Sequence, residues 1–190
     1  IRGAGANFVS NADGITNTGF EIELYYAATD RLTLSGNFSY TETEYGEDYF
    51  VFTVDDPINP VPVFGTFTQG FVSAQVTDPS QASDYTVNLK GGPLKGIPEE
   101  KATIRVSYEQ DTRFGPLYYL LSHSYTGDFS ASGIQRPLDR IDSRETTNLN
   151  ISWYSQDGNL SLRAYVDNLF DNDNYYALST GDHETHYRKS

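Results

Sequence analysis

The chain has 190 residues and a formal net charge of −13, with 13 Lys and Arg against 26 Asp and Glu. That balance argues against a nucleic-acid partner, because phosphate recognition needs clustered Lys and Arg. The absence of cysteine excludes disulfides and thiolate metal sites, and a hydrophobic fraction of 37% that includes fifteen tyrosines is thin for the dry core of a soluble sandwich.

The first clear pattern is strict alternation. Phe20, Ile22, Leu24 and Tyr26 alternate with Glu21, Glu23 and Tyr25. A connector at residues 28–31 follows, and then Leu32, Leu34, Gly36, Phe38 and Tyr40 alternate with Thr33, Ser35, Asn37, Ser39 and Thr41. Period two sends alternate side chains to opposite faces of a sheet, so each strand has one apolar and one polar face. Residues 42–100 then form a very long acidic connector, in which ten carboxylates stand against Lys90 and Lys95 alone. Its aromatic stretches suggest an internal hairpin, residues 64–67 with 71–76, and residues 91–98 read as an irregular lead-in. A loop of this length is uncommon unless functional or disordered.

A third strand is predicted where Ala102, Ile104, Val106 and Tyr108 alternate with Thr103, Arg105, Ser107 and Glu109. After a turn at residues 110–115 a fourth runs over 116–126, with Leu120 interrupting its polar side. Thr147, Leu149, Ile151 and Trp153 then alternate with polar residues, and Asp157-Gly158 turns the chain into Leu160, Leu162, Ala164 and Val166. Asp-Gly between alternating runs is among the strongest short hairpin signals.

The three tight connectors fall on one side and the long ones, 42–100 and 127–144, on the other. Short turns at one end and long loops at the other are the asymmetry of an outer-membrane barrel. Each strand is about as long as the ~9–11 residues needed to cross the hydrocarbon at a tilt. Arg105 and Arg163 fall on the polar, lumen side, as the cost of a lipid-facing charge requires. Tyr26, Tyr40, Tyr108, Tyr119, Tyr125 and Trp153 read as interfacial girdle residues. The expected fold is therefore all-β: an antiparallel up-and-down transmembrane β-barrel segment of about six strands, with long extracellular loops and the barrel incomplete. The lack of methionine at the start is read as an internal piece of a longer secreted precursor.

Four segments taken together resemble TonB-dependent outer-membrane receptors. They are Gly19-Phe20-Glu21-Ile22-Glu23 with Leu32 to Tyr40, the lead-in Leu94-Lys95-Gly96-Ile97-Pro98, the Tyr108 strand, and Val166-Asp167-Asn168-Leu169-Phe170-Asp171 followed by Tyr175-Tyr176. The resemblance implies the C-terminal portion of a twenty-two-strand barrel over residues 1–190, with the plug domain and closing strand outside the chain. It implies a bacterial outer-membrane location. The implied function is receptor-mediated active transport of a siderophore, vitamin, sugar or similar small-molecule ligand. The implied partners are membrane lipid, lipopolysaccharide, the N-terminal plug of the same protein and the TonB complex. It implies no enzyme and no cofactor. Loop aromatics in such receptors touch ligand, which makes Tyr45, Tyr49 and Phe50 candidate contacts. The rival readings are a passive porin or autotransporter barrel, and a soluble β-sandwich adhesin or carbohydrate-binding module.

Three motifs invite chemistry without sustaining it. His183-Glu184-Thr185-His186 places its histidines three apart, whereas the zinc-protease motif needs four on a helix. Asp167, Asp171 and Asp173 with Asn168, Asn172 and Asn174 offer oxygen ligands for calcium, but not the glycine and distal glutamate of an EF-hand. His123 lies opposite Ser122 and Ser124 in register, so no hydrolase set assembles on one face. The acidic connector fits either a solvated loop or a cation-attracting vestibule that contacts lipopolysaccharide through divalent ions.

Overall fold

The computed structural model describes residues 14–52, 86–131, 139–173, 175–180 and 185–189. Among the described residues twelve strands are formed: β1 (Ile15–Ala27), β2 (Leu32–Tyr45), β3 (Phe50–Phe52), β4 (Thr86–Asn88), β5 (Glu100–Gln110), β6 (Leu117–Thr126), β7 (Phe129–Ser130), β8 (Arg140–Ile141), β9 (Arg144–Tyr154), β10 (Ser161–Val166), β11 (Tyr175–Thr180) and β12 (Thr185–Lys189). Six of them form one sheet in the order β1-β2-β5-β6-β9-β10, while β3-β4, β7-β8 and β11-β12 make two-stranded ladders. Every neighbouring pair in the large sheet is antiparallel. The sheet is an up-and-down meander whose barrel is not closed within this chain.

The registers carry the alternation across the whole sheet. Tyr26 opposes Leu34, Leu34 opposes Val106, Val106 opposes Leu121, Leu121 opposes Leu149, and Leu149 opposes Val166. One row below, Leu32, Tyr108, Tyr119, Ile151 and Ala164 continue across five strands. All six girdle residues named above lie on this apolar face. Phe20, Tyr40 and Tyr125 stand towards its loop side, and Tyr26, Tyr108, Tyr119 and Trp153 towards its turn side. From Leu32 to Tyr40 the strand climbs eight residues, about 26 Å, or roughly 20 Å vertically at a tilt near 40°.

Much of the apolar face is uncovered, although Thr147 at its loop end is buried at 4% exposure. Ile22 is 56% exposed, Leu24 63%, Ile104 58% and Leu162 61%. Among the described residues only Tyr45, Leu89 and Ile141 are buried hydrophobics, and none lies inside the six-strand rows. A soluble domain rarely leaves a contiguous apolar patch beyond about 300–600 Å² uncovered. The two-layer stack around a dry interior that a β-sandwich requires is not formed by these strands.

The turn side is tied together laterally. In the first turn Thr29 Oγ1 accepts from the backbone N–H of Arg31 at 3.2 Å and of Leu32 at 3.0 Å. In the second, Thr112 Oγ1 donates to the Gly115 carbonyl at 2.6 Å. In the third, Ser155 Oγ donates to Asp157 Oδ1 at 2.6 Å, and Gly158 takes φ of 71°, where a side chain would be strained. An Arg31–Asp111 ion pair links the first turn to the second, and Gln156 Nε2 donates to the Arg113 carbonyl at 2.9 Å to link the second to the third.

Two boundaries differ from the sequence reading. β2 runs to Tyr45 because residues 41–45 pair with the start of β1. Thr41-Glu42-Thr43-Glu44 is polar on both faces, so hydrophobic periodicity gave no sign of a strand there. The long connector also closes into the β3–β4 ladder, which periodicity did not single out. The hairpin expected over 64–67 and 71–76 lies outside the described residues.

Candidate functional site

Chemistry-bearing side chains gather where the long connector leaves β2. Tyr45 ends that strand, and Tyr49 follows four residues later. Their rings stack at 5.4 Å with a 9° interplanar angle. Tyr45 is 8% exposed, and burial is the first cause that pushes its hydroxyl above the usual tyrosine range, with Tyr49 the second. The Tyr45 carbonyl accepts from Gly91 N–H at 2.7 Å, and its N–H donates to the Gly92 carbonyl at 3.1 Å. The stack is therefore fixed at the backbone as well as through the rings.

Beside it the two ends of the connector are clasped. Asn88 Nδ2 donates to Asp48 Oδ1 at 3.0 Å, while Asn88 Oδ1 accepts from the N–H of Tyr49 at 3.1 Å and of Lys90 at 3.2 Å. Lys90 Nζ reaches the same Asp48 oxygen at 3.4 Å. The Asn88 hydrogen bond, followed by Lys90, holds the Asp48 carboxyl below the ordinary carboxylate range. Leu89 packs at 5% exposure beneath, its N–H donating to the Tyr49 carbonyl at 2.9 Å. Of the candidate contacts, Tyr45 and Tyr49 are thus brought together. Phe50 begins β3 opposite Asn88. The sequence reading missed Asn88 and Lys90, which are inconspicuous until the register of β3 with β4 is known.

A cleft of about 660 Å³ opens between the two long connectors, lined by Leu94, Ile97, Tyr125, Asp128, Phe129 and Arg140 among others. Arg140 Nη2 meets Asp128 Oδ2 at 2.6 Å across it.

The described residues of the remaining motifs make the following contacts. His123 Nδ1 bonds Thr147 Oγ1 at 2.8 Å on the apolar face, across the sheet from Ser122 and Ser124. The Asn168 amide is used within its own turn: Nδ2 donates to the Asn172 carbonyl at 3.0 Å, and Oδ1 accepts from Asn172 N–H at 3.1 Å. Asn168 and Asp171 take φ of 50° and 52°, and Leu169 N–H donates to the Thr147 carbonyl at 2.7 Å. This segment folds back onto β9 and ends β10. Of the His183–His186 motif, residues 183 and 184 lie outside the described residues, while Thr185 and His186 are in β12, a strand rather than a helix.

The sheet also sorts charge. All four Lys and Arg of its six strands, Lys101, Arg105, Arg144 and Arg163, register on the polar face. Glu42, Glu44, Glu100 and Glu145 register on the apolar side at its loop end, while Glu21, Glu23 and Glu109 share the polar face.

Residues 1–169 match the family model described as TonB dependent receptor-like, beta-barrel. No curated protein sequence matches the chain significantly. Among solved structures, the ferric yersiniabactin uptake receptor FyuA from Yersinia pestis is similar, with a TM-score of 0.65 at 16% identity. The match covers 93% of this chain and 22% of that receptor, so the chain spans less than a quarter of its length. At that identity the likeness is one of fold.

Proposed function

Because this chain belongs to the TonB-dependent receptor β-barrel family, we propose that it forms wall and mouth of a bacterial outer-membrane receptor for energised uptake of a small-molecule ligand. The apolar face meets lipid, the polar face lines the lumen, the three linked turns face the periplasm, and the long connectors stand outside. The observation that carries this reading is the unbroken apolar face across six strands, left uncovered over most of its height. In this reading the region supplies wall, gate and selectivity.

In this reading the chain is the C-terminal portion of the barrel. Its lumen holds a plug domain from elsewhere in the same protein, and energy comes from TonB acting on that plug. Membrane lipid and lipopolysaccharide surround the apolar face. Tyr45, Tyr49 and Phe50 contribute to the ligand mouth: Tyr45 registers on the lumen side of β2, and the clasp of Asp48, Asn88 and Lys90 holds the tyrosine pair at the root of the first external loop. The cargo class includes iron chelates of the kind named for the similar receptor.

The test is uptake by cells that carry the full-length receptor, with and without TonB. The reading requires accumulation of cargo to stop when either the receptor or TonB is removed. Accumulation that needs the receptor and ignores TonB would favour a passive pore and end the proposal.

A further inference from the structure

Resting on the transport reading above, in which the apolar face meets lipid and the long connectors stand outside, we propose that the cleft between those connectors seats the sugar headgroup of one outer-leaflet lipopolysaccharide molecule. The headgroup is recognised through its ring faces and hydroxyls, not through its phosphates. The site lies on the outer wall of the barrel and is separate from the cargo mouth.

The registers fix the side on which the cleft opens. Glu100, Tyr125 and Gly127 line it. Glu100 opposes Tyr40 and Tyr125 opposes Ala102, so both belong to the apolar face. Their neighbours in sequence, Lys101 and Thr126, oppose each other on the polar face, with Arg144 next in that row, and none of these three lines the cleft. Phe129 spans the wall: it lines the cleft, while its ring stands 5.9 Å from the Arg144 guanidinium. The cleft of about 660 Å³ therefore sits at the upper edge of the lipid-facing surface, at the belt that Tyr40 and Tyr125 mark. That is the level of a lipid headgroup, where tyrosine rings are enriched. Its volume falls within the ~300–1,000 Å³ of small-molecule sites.

The lining selects sugar over phosphate. Among its described residues Glu99, Glu100 and Asp128 stand against Arg140 alone, and Arg140 is taken up by Asp128 at 2.6 Å. Glu42, Glu44 and Glu145 on the same side of the sheet add to the negative field, and Lys95 of the connector does not line the cleft. A phosphate would be repelled there, whereas carboxylates accept hydrogen bonds from sugar hydroxyls. Tyr125 offers the flat apolar ring and polar tip that suit the face and edge of a pyranose. Gly127 supplies a second, independent observation. It is not one of the glycines with positive φ, so its backbone does not require glycine. A Cβ there would stand 3.2 Å from the Glu100 carbonyl oxygen and 3.5 Å from the Glu100 Cβ. The missing side chain keeps the floor open beside Glu100.

The experiment is native mass spectrometry of the purified full-length receptor in detergent, titrated with three probes. They are a rough-type lipopolysaccharide of defined core, the same molecule with its phosphates removed, and phosphatidylglycerol, an anionic lipid without a sugar ring. The receptor should retain one lipopolysaccharide, with neither dephosphorylation nor EDTA weakening it, and should bind phosphatidylglycerol at least about tenfold more weakly. Glu100→Gln and Tyr125→Leu should each weaken both lipopolysaccharide probes about tenfold, while Thr126→Val on the other face changes neither. Binding that EDTA or dephosphorylation abolishes is binding of phosphates through divalent cations, and it overturns the sugar site. Lipopolysaccharide that binds no better than phosphatidylglycerol overturns it, as do Glu100 and Tyr125 substitutions that leave its affinity unaltered. A fall in thermal stability with equal weakening of all three probes marks the two residues as structural and overturns it too. TonB-dependent cargo uptake that continues in any of these cases leaves the transport reading standing.

Discussion

Ile104 and Thr103 are adjacent in β5, and they should respond to the same substitution in opposite ways. Ile104 opposes Gly36 and His123, halfway between the Leu32 and Tyr40 rows, and its side chain is 58% exposed. With that face in lipid, Ile104→Lys places an ammonium near the midplane, at a cost of about 2–4 kcal/mol. At 1.4 kcal/mol per decade this is roughly a 30- to 700-fold loss in the folded-to-unfolded ratio. Thr103→Lys points the same charge into a polar wall beside Ser124, whose Oγ lies 3.4 Å from Thr103 Oγ1, and it gives up only that weak contact. Its expected cost is about 1 kcal/mol or less. The assay is urea unfolding of the full-length receptor in lipid vesicles, followed by the gel-mobility difference between folded and unfolded barrels. An equal or larger loss for Thr103→Lys would refute the assignment of faces.

Three further outcomes are expected. Thr147→Val leaves His123 Nδ1 without its 2.8 Å partner at a part-buried point of the apolar face and should cost about 1–3 kcal/mol, whereas the double variant with His123→Phe should recover most of it in a double-mutant cycle. Gly115→Ala should impair folding of the second hairpin in a refolding-yield assay, because Gly115 takes φ of 120° and an added Cβ would collide with the Tyr154 carbonyl oxygen. The Asp157 carboxyl is lowered from 3.8 to about 2, first by the Ser155 hydroxyl and then by the Asn159 backbone and side chain. Because its folded-state pKa is depressed, its contribution is fully present above about pH 4 and fades as the pH falls towards 2. The wild-type unfolding midpoint should drop across that window more than that of Asp157→Ala.

The six sheet strands were legible because each keeps period two almost throughout, with Leu120 the main interruption, while little of either face is buried, a pattern that a barrel wall imposes and a sandwich core does not. The three tight turns were legible from Asp-Gly at 157–158 and from the common side on which all three fall. The end of β2 and the β3–β4 ladder were not, since Thr41 to Glu44 is polar on both faces and β3 is three residues long. At the root of the first long connector, Tyr45 and Tyr49 could be picked out as aromatics, but Tyr49 is held by Asn88, 39 residues away in sequence. Charge was the least legible property. A sum over the chain hides the fact that Lys101, Arg105, Arg144 and Arg163 share one face, and only the registers of β5, β6, β9 and β10 bring that out.

In the proposed receptor one face of a single six-stranded sheet meets lipid and the other meets water. Nitroxide scanning along β5, residues 100–110, in the full-length receptor in lipid bilayers tests it most directly, by comparing collision with oxygen and with a water-soluble nickel chelate. Strict alternation is expected, with Ala102, Ile104, Val106 and Tyr108 favouring oxygen and Thr103, Arg105 and Ser107 favouring the chelate. A profile with no period of two, or one with these sets exchanged, would contradict it.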